Sequence, residues 1–456
     1  MRRSLSFLPR GFPFRPFCVS QYSRRAPSFS TSSHSTKPTE LEETVWYEYT
    51  EDPREPYKYG PGGYHPVMIG DVLHKRYHVH HKLGRGGVST IWLAKDMILS
   101  KYVAVKVGIA ESDNKEVEIL SKLTKPTGGS ASRGEDMIIP VLDYFSLDGP
   151  NGTHPCSVTV PARLSLANLT EYWCSCDLPL PVVRSLAAQM VIAVAYIHGQ
   201  GFVHGDLHLG NVLLQLPERL DTMSQDELYE EYGPPDPEPM IRRDGKPLAP
   251  GVPSHIFEPI WFGINNETIT LPESRILIAD FGTAFCPAEE DRFQSYTPLT
   301  YRPPEPYFEP KTPLSYPSDI WSLGCAIWEM SGGGGFLTAW LWDEVDAINE
   351  QVDRLGPLSP EWSDKWKRPP NKFGVDGVPL PTAPDQTWEG RFEETIQEYR
   401  RRKNVGAFDE DEIQAFQEML KGMIVYRPGE RLTAEQVLNT RWMREYALPE
   451  WEKIGK

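Results

Sequence analysis

Acidic residues are missing from the first 38 positions of this 456-residue chain. The same stretch carries Arg2, Arg3, Arg10, Arg15, Arg24, Arg25 and Lys37 among serines and apolar residues. That make-up matches a mitochondrial transit peptide. The alternative is a disordered basic tail, broken by Pro9, Pro13, Pro16 and Pro27. Localisation therefore stays open between the mitochondrion and the cytoplasm or nucleus. Cysteine is scarce, with six in the whole chain. The closest pair, Cys174 and Cys176, is separated by one residue, which fits neither a CxxC redox motif nor a usual zinc knuckle. Reduced thiols in a reducing compartment are expected. Long apolar runs are lacking too: none reads as long enough to span a bilayer, so no membrane span is expected. Basic charge is in deficit, with a net charge of −16 that deepens once the basic arm is set aside. That balance argues against nucleic acid as a direct partner and fits a basic peptide or a metal-bound nucleotide.

What is present is 39% hydrophobic and 24% charged, ample for a large core in two lobes plus tails. Residues 1–39 form the basic arm, and 40–75 an extension rich in Glu, Tyr, Pro and Gly. Residues 76–107 alternate as strands do: YHVHHKL, STIWLA, YVAVKV. The stretch 114–123, NKEVEILSKL, has helical spacing. In PVVRSLAAQMVIAVAYIH (181–198), Val183, Leu186, Met190, Val194 and Ile197 share one helical face, with Pro181 as a natural start. Strands first and helices after predict an α+β fold of two lobes, 76–161 and 162–446. A proline-rich, acidic insert at about 215–271 breaks the second lobe and is either functional or loosely ordered.

Chemistry is carried by short motifs. In LGRGGVSTI (83–91), Gly84 and Gly86 let a backbone turn approach phosphates, and the flanking strands make it a hairpin lid. Ala104 and Lys106 lie on one face of an apolar strand, where a lysine is costly unless it is paired or touches an anion. Glu116 is the preferred partner, one turn before Leu120, with Glu118 in competition. In FVHGDLHLGNVLL (202–214), Asp206 and Asn211 sit five apart, which suits a base and a metal ligand on one loop. DFG (280–282) follows the apolar run ILIA, and a strand ending in an aspartate and a glycine turn is a natural magnesium site. YRPPE (301–305), SDIWSLGC (318–325) and Arg431 complete the series.

Each motif alone is weak. In this order over 76–445, they resemble the eukaryotic protein kinases. GGYHPVMIGDVLHKRYHVHHKLGRGGVSTIWLAKD (62–96) and NGTHPCSV (151–158) are similar to SR-protein kinases, in the form common in filamentous fungi. Those kinases also have a spacer where this chain has its insert. The resemblance implies a bilobal kinase fold with a strand-rich N-lobe and a helical C-lobe. It implies ATP and Mg2+ as cofactors, a monomer, and a protein substrate with Arg/Ser-rich proteins as candidates. The nucleotide would lie under Leu83, Gly84, Arg85, Gly86, Gly87, Val88, Ser89 and Ile91, beside Ala104 and Lys106. Thr159 would be the gatekeeper, with the Val160 carbonyl and Ala162 N–H reading the adenine edge. Asp206 would act on the substrate hydroxyl, Lys106 and Glu116 on the α/β-phosphates, and Asn211 and Asp280 would hold the metal. Glu305 and Arg431 would form a buried ion pair, and Asp319 would accept N–H bonds from the catalytic loop.

Departures from that pattern are specific. Gly205 replaces the arginine that grips an activation-loop phosphate in many kinases, and Ser89 the third glycine. His208 replaces the lysine near the γ-phosphate, so charge there depends on pH, and a lysine at 208 is expected to keep or raise transfer. Pro298 replaces a threonine near the substrate hydroxyl, with Thr297 adjacent. Asp343, Glu344, Asp346, Glu350 and Asp353 are candidates for gripping a basic peptide. Two other readings stay open here: a nucleotide-binding pseudokinase or scaffold, and a small-molecule kinase of the aminoglycoside or choline type, which HGDLHLGN also resembles.

Overall fold

Alternating apolar side chains from Val72 to Thr159 build one antiparallel sheet. Its strands are β1 (Val72–Leu73), β2 (Tyr77–Arg85), β3 (Ser89–Asp96), β4 (Lys101–Gly108), β5 (Val141–Gly149) and β6 (Gly152–Thr159), in the order β1-β2-β3-β4-β6-β5. Val79, Trp92, Val103, Val105 and Val158 bury one face, as β-branched and aromatic side chains do on a pleated surface. Helix α1 (Lys115–Leu123) buries Ile119, Leu120 and Leu123 beside it. The computed structural model describes Tyr47 and residues 56–454, except 111, 125–132, 172–176, 264–268, 339–340 and 367–381. The basic arm, Cys18, Cys174 and Cys176 lie outside the described residues. Cys156, Cys286 and Cys325 are free thiols.

Val160 and Pro161 lead into β7 (Ala162–Ser165), which pairs with β8 (Val212–Gln215). β11 (Ile276–Ile278) joins the far side of β8. The second lobe is otherwise helical. Short α2 (Leu166–Glu171) leads to α3 (Leu180–Gly199), which carries the predicted helix and has Pro181 in its first turn. One reading of the sequence needs correction: α3 is long and apolar enough to cross a membrane by length and composition. Its apolar character has another cause. Fifteen of its residues are buried, and α3 is wrapped on all sides by the large core. A helix apolar all round is what such a position requires.

The insert is ordered where it is described, and it packs on the first lobe. It contains α4 (Gln225–Tyr232), started by a Ser224/Glu227 capping box, and the hairpin β9 (Pro237–Pro239)/β10 (His255–Phe257). Leu220, Leu228, Ile260 and Phe262 bury against Leu93 and Tyr102 of β3 and β4. Fully burying one such side chain contributes about 1.5–3 kcal/mol. The backbone is matched as well: Tyr102 N–H donates to Asp221 Oδ1 at 2.9 Å, and Ile260 N–H to the Lys82 carbonyl at 2.8 Å. Next to it, Met240, Val252 and Ile256 of the insert enclose Tyr59 and Tyr64 of the extension.

Candidate functional site

The β2–β3 hairpin carries the glycine loop. Gly84 pairs with Ile91 and Arg85 with Thr90, and Gly86 N–H closes on the Ser89 carbonyl at 2.8 Å. Leu83 is half-buried, Ser89 is buried, and Arg85, Gly87 and Val88 are exposed at the tip. Lys106 lies opposite Ile91 on the next strand, and Ala104 lies opposite Thr159. This register sets Ala104 and the gatekeeper candidate side by side at the start of the Val160–Ala162 crossing. Thr159 Oγ1 donates to the Val160 carbonyl at 3.3 Å.

Lys106 Nζ reaches Glu116 Oε2 at 2.7 Å and Asp280 Oδ1 at 3.2 Å. Glu116 is therefore its partner on α1, while Glu118 is exposed. Burial opposes the lysine charge, but the two carboxylates outweigh it and hold the pKa above its ordinary value. Asp280 has φ +64°, a left-handed conformation uncommon for any residue but glycine, asparagine or aspartate. Phe281 behind it is fully buried, with its ring against His204.

The catalytic loop is suspended from Asp319 of α6 (Tyr316–Met330), which follows the short α5 (Glu305–Phe308). Asp319 accepts from His204 N–H at 2.8 Å and Gly205 N–H at 3.0 Å, and lies 3.0 Å from His198 Nε2. Burial works against the Asp319 charge, yet these partners keep its pKa below the ordinary value. Asp206 is buried, and its carbonyl accepts from Asn211 Nδ2 at 2.8 Å. The pairing of Val212 with Ile278 brings Asn211 and Asp280 to the ends of adjacent strands. Glu305 and Arg431 form the expected buried pair, with two contacts of 2.9 and 2.7 Å.

These residues fit a metal-bound nucleotide. Asp280 is 47% exposed at its side chain, so its carboxylate faces the cleft. Asn211 spends its amide nitrogen on Asp206, which leaves Oδ1 as its ligating atom. One carboxylate and one amide are what Mg2+ uses when phosphates supply its other ligands.

Comparison with known proteins agrees. The family described as "Protein kinase domain" matches residues 77–221 and 264–443. The chain belongs to the protein kinase family. Protein kinase dsk1 of Schizosaccharomyces pombe is 26% identical over 88% of this chain and 86% of its own length. Serine/threonine-protein kinase SRPK of Physarum polycephalum is 27% identical over 85% of this chain and 90% of its own. SRSF protein kinase 3 of Homo sapiens is 35% identical over 36% of this chain and 30% of its own. The kinase is thus SR-protein-kinase-like, and the small-molecule and pseudokinase readings find no support in these comparisons.

Two departures of this kinase from the common pattern, Gly205 and His208, have structural reasons. Gly205 has φ +76°, and a Cβ there would stand 2.9 Å from the Thr283 carbonyl. His208 Nδ1 accepts from Gly210 N–H at 3.1 Å, capping the turn that carries Asn211. Its other nitrogen, Nε2, therefore holds the proton of the neutral ring. That atom lies 3.6 Å from Asp206 Oδ1, just beyond hydrogen-bond range. Pro298 precedes the turn Leu299–Tyr301, and Thr297 is buried with its carbonyl taken by Arg302.

Of the acidic candidates, Asp343 caps α7 (Glu344–Leu355) and Glu350 binds Thr338 and Arg354. Asp346 accepts from Trp342 N–H, and Thr382 lies against Asp353. Glu344 pairs with Arg302 of the YRPPE segment at 2.7 Å. Sequence reasoning missed a charge relay. Lys115, beside Glu116, binds Glu290 at 2.5 Å, and Glu290 binds Arg292 at 2.6 Å. Arg292 also donates to the Thr283 carbonyl at 3.2 Å and lies over the Phe285 ring. The only signal was the dense charge in EEDR (289–292).

Proposed function

We propose that this serine/threonine protein kinase phosphorylates Arg/Ser-rich proteins, using Mg-ATP. The reading is carried by one observation: Lys106 is already bonded to both Glu116 and Asp280 while Asp206 and Asn211 are locked on one loop. Asp206 would orient the substrate hydroxyl and accept its proton at a carboxylate oxygen. Lys106 would bind the α/β-phosphates, and Glu116 would hold it there. Asn211 and Asp280 would hold magnesium, which offsets the charge on the phosphates as the group moves. His208 would present its Nε2 proton toward Asp206 and the departing phosphoryl group. Leu83 to Ile91 and Ala104 would enclose the nucleotide, with Thr159, Val160 and Ala162 along its adenine edge. An acidic chain suits a basic substrate, and the names of the SR-protein-kinase relatives support the same class.

The test is a radiometric assay on Arg/Ser-rich peptide beside an Asp206→Asn control. Loss of a positioned base lowers the rate about 10²- to 10⁴-fold. Equal incorporation by the two proteins would sink the proposal.

A further inference from the structure

The extension before the first lobe reaches the nucleotide loop from outside. Tyr64 is 1% exposed, and its hydroxyl donates to the Gly86 carbonyl at the tip of the glycine loop. Lys58 supports the contact: its Nζ lies 2.9 Å from the Tyr64 hydroxyl and 3.4 Å from the same Gly86 carbonyl. Residues 58–64 are folded into a turn of their own, with Tyr64 N–H on the Lys58 carbonyl at 2.8 Å.

That turn is held by the insert. Asn151, buried at the β5–β6 turn, donates to the Tyr64 carbonyl at 2.6 Å and to the Gly251 carbonyl at 2.8 Å. Gly251 allows this approach, because a Cβ there would overlap Asn151 at 1.9 Å. Gly62 N–H donates to the Asn151 carbonyl at 2.8 Å, and Gly63 accepts from Ala110 N–H at 3.2 Å. Insert, β5–β6 turn, extension and glycine loop thus form one continuous hydrogen-bonded series.

A glycine loop is built from residues that pin themselves poorly. Part of its order must come from partners outside it: Ile109 N–H donates to the Val88 carbonyl at 2.9 Å, and Tyr64 holds the Gly86 carbonyl at the tip. From this contact we infer that Tyr64 is a positioning residue for ATP binding, and that the insert and Asn151 set its place. The hydroxyl fixes one carbonyl at the tip of the β2–β3 hairpin. That lowers the conformational entropy lost when the loop closes over phosphates. The inference rests on the kinase reading, in that the loop is taken to cover a nucleotide.

Two measurements on the full chain separate the inference from that reading. Amide hydrogen exchange without nucleotide reads loop order alone. Affinity for Mg-ATP, measured by calorimetry, reads its consequence. Tyr64→Phe keeps the buried ring and removes the hydroxyl, and Tyr64→Phe with Lys58→Met removes both donors. Exchange across 84–89 is expected to speed up about three- to tenfold in Tyr64→Phe, as for the loss of one net hydrogen bond. It should speed up further in the double variant, with α3 unchanged in both. KM for ATP should rise by a similar factor while kcat at saturating ATP holds. Asn151→Ala should loosen 58–64 and 84–89 together. If loop exchange in the double variant equals that of the wild type, the inference is overturned whatever the activity. Faster exchange in the loop with an unchanged ATP affinity also overturns the positioning role.

Discussion

Lys115 on α1 is bonded to Glu290 in the segment after DFG, at 2.5 Å. The contact ties the helix that carries Glu116 to Arg292 and, through it, to the backbone beside Gly205. A carboxylate thus joins two cations, one on α1 and one in the segment after DFG. Glu290→Gln should lower kcat about two- to fivefold, the range expected of a partly exposed ion pair. The deficit should shrink with salt, because screening weakens the wild-type pair that the variant lacks, read as kcat of both proteins at rising ionic strength. Its hydrogen bonds to Lys115 and Arg292 hold the Glu290 pKa below the ordinary 4.5. A depressed carboxylate pKa means the link is fully present above the unfolded value. It is lost only as pH falls through the lower, folded value.

His208 caps the loop turn through Nδ1, and its Nε2 lies 3.6 Å from Asp206 Oδ1. The sequence alone led to the expectation that a lysine would serve as well. The structure sharpens it: lysine would put its ammonium near Asp206 but cannot accept the Gly210 N–H. His208→Lys should therefore retain transfer while losing about 1 kcal/mol of stability, as for a lost cap. His208→Asn keeps an acceptor and removes the Nε2 proton, so kcat should fall with little change in melting temperature. Equal kcat for both variants and the wild type would show that His208 is only a cap.

Gly205 cannot be exchanged freely. Its φ of +76° and the nearby Thr283 carbonyl leave no room for a Cβ. Gly205→Ala should destabilise the fold by about 1–3 kcal/mol, measured by denaturant unfolding. An arginine restored at this site should reduce activity rather than add loop-phosphate control.

Glu305 and Arg431 are both nearly inaccessible. Removing one partner strands the other charge, at a cost of about 3–5 kcal/mol. Glu305→Gln should lower the unfolding midpoint accordingly. Replacement of both by apolar residues should recover much of the loss. A double-mutant cycle in denaturant measures the difference.

The strands, α1 and α3 were legible because their periodicity is strong. Lys106 and Glu116 could be paired in advance because a lysine on an apolar strand needs a counter-charge. Asp206, Asn211 and Asp280 were legible as motifs, and their meeting depends on the β8–β11 pairing, which short apolar runs do not specify. The insert was opaque. Its prolines and acids hide the few residues that matter, Leu220, Leu228, Ile260 and Phe262, which are too far apart to show a period. The Tyr64 contact with Gly86 was equally hidden, since a carbonyl acceptor leaves no mark on side-chain composition. The apolar run of α3 was undervalued because small alanines and a glutamine interrupt it, although the helix is buried on every face.

The insert leaves the second lobe at β8, directly after Asn211, and ends its journey on the back of β3 and β4. The chain therefore passes between the two lobes at two separated places, the 160–161 crossing and this clasp. A body hung from one pivot can turn about many axes; hung from two, it turns freely only about the line through both. Opening of the cleft should follow that single axis, because any other rotation would peel Leu228 and Phe262 from Leu93 and Tyr102 and wet them. The insert would thus give the opening of the cleft its direction.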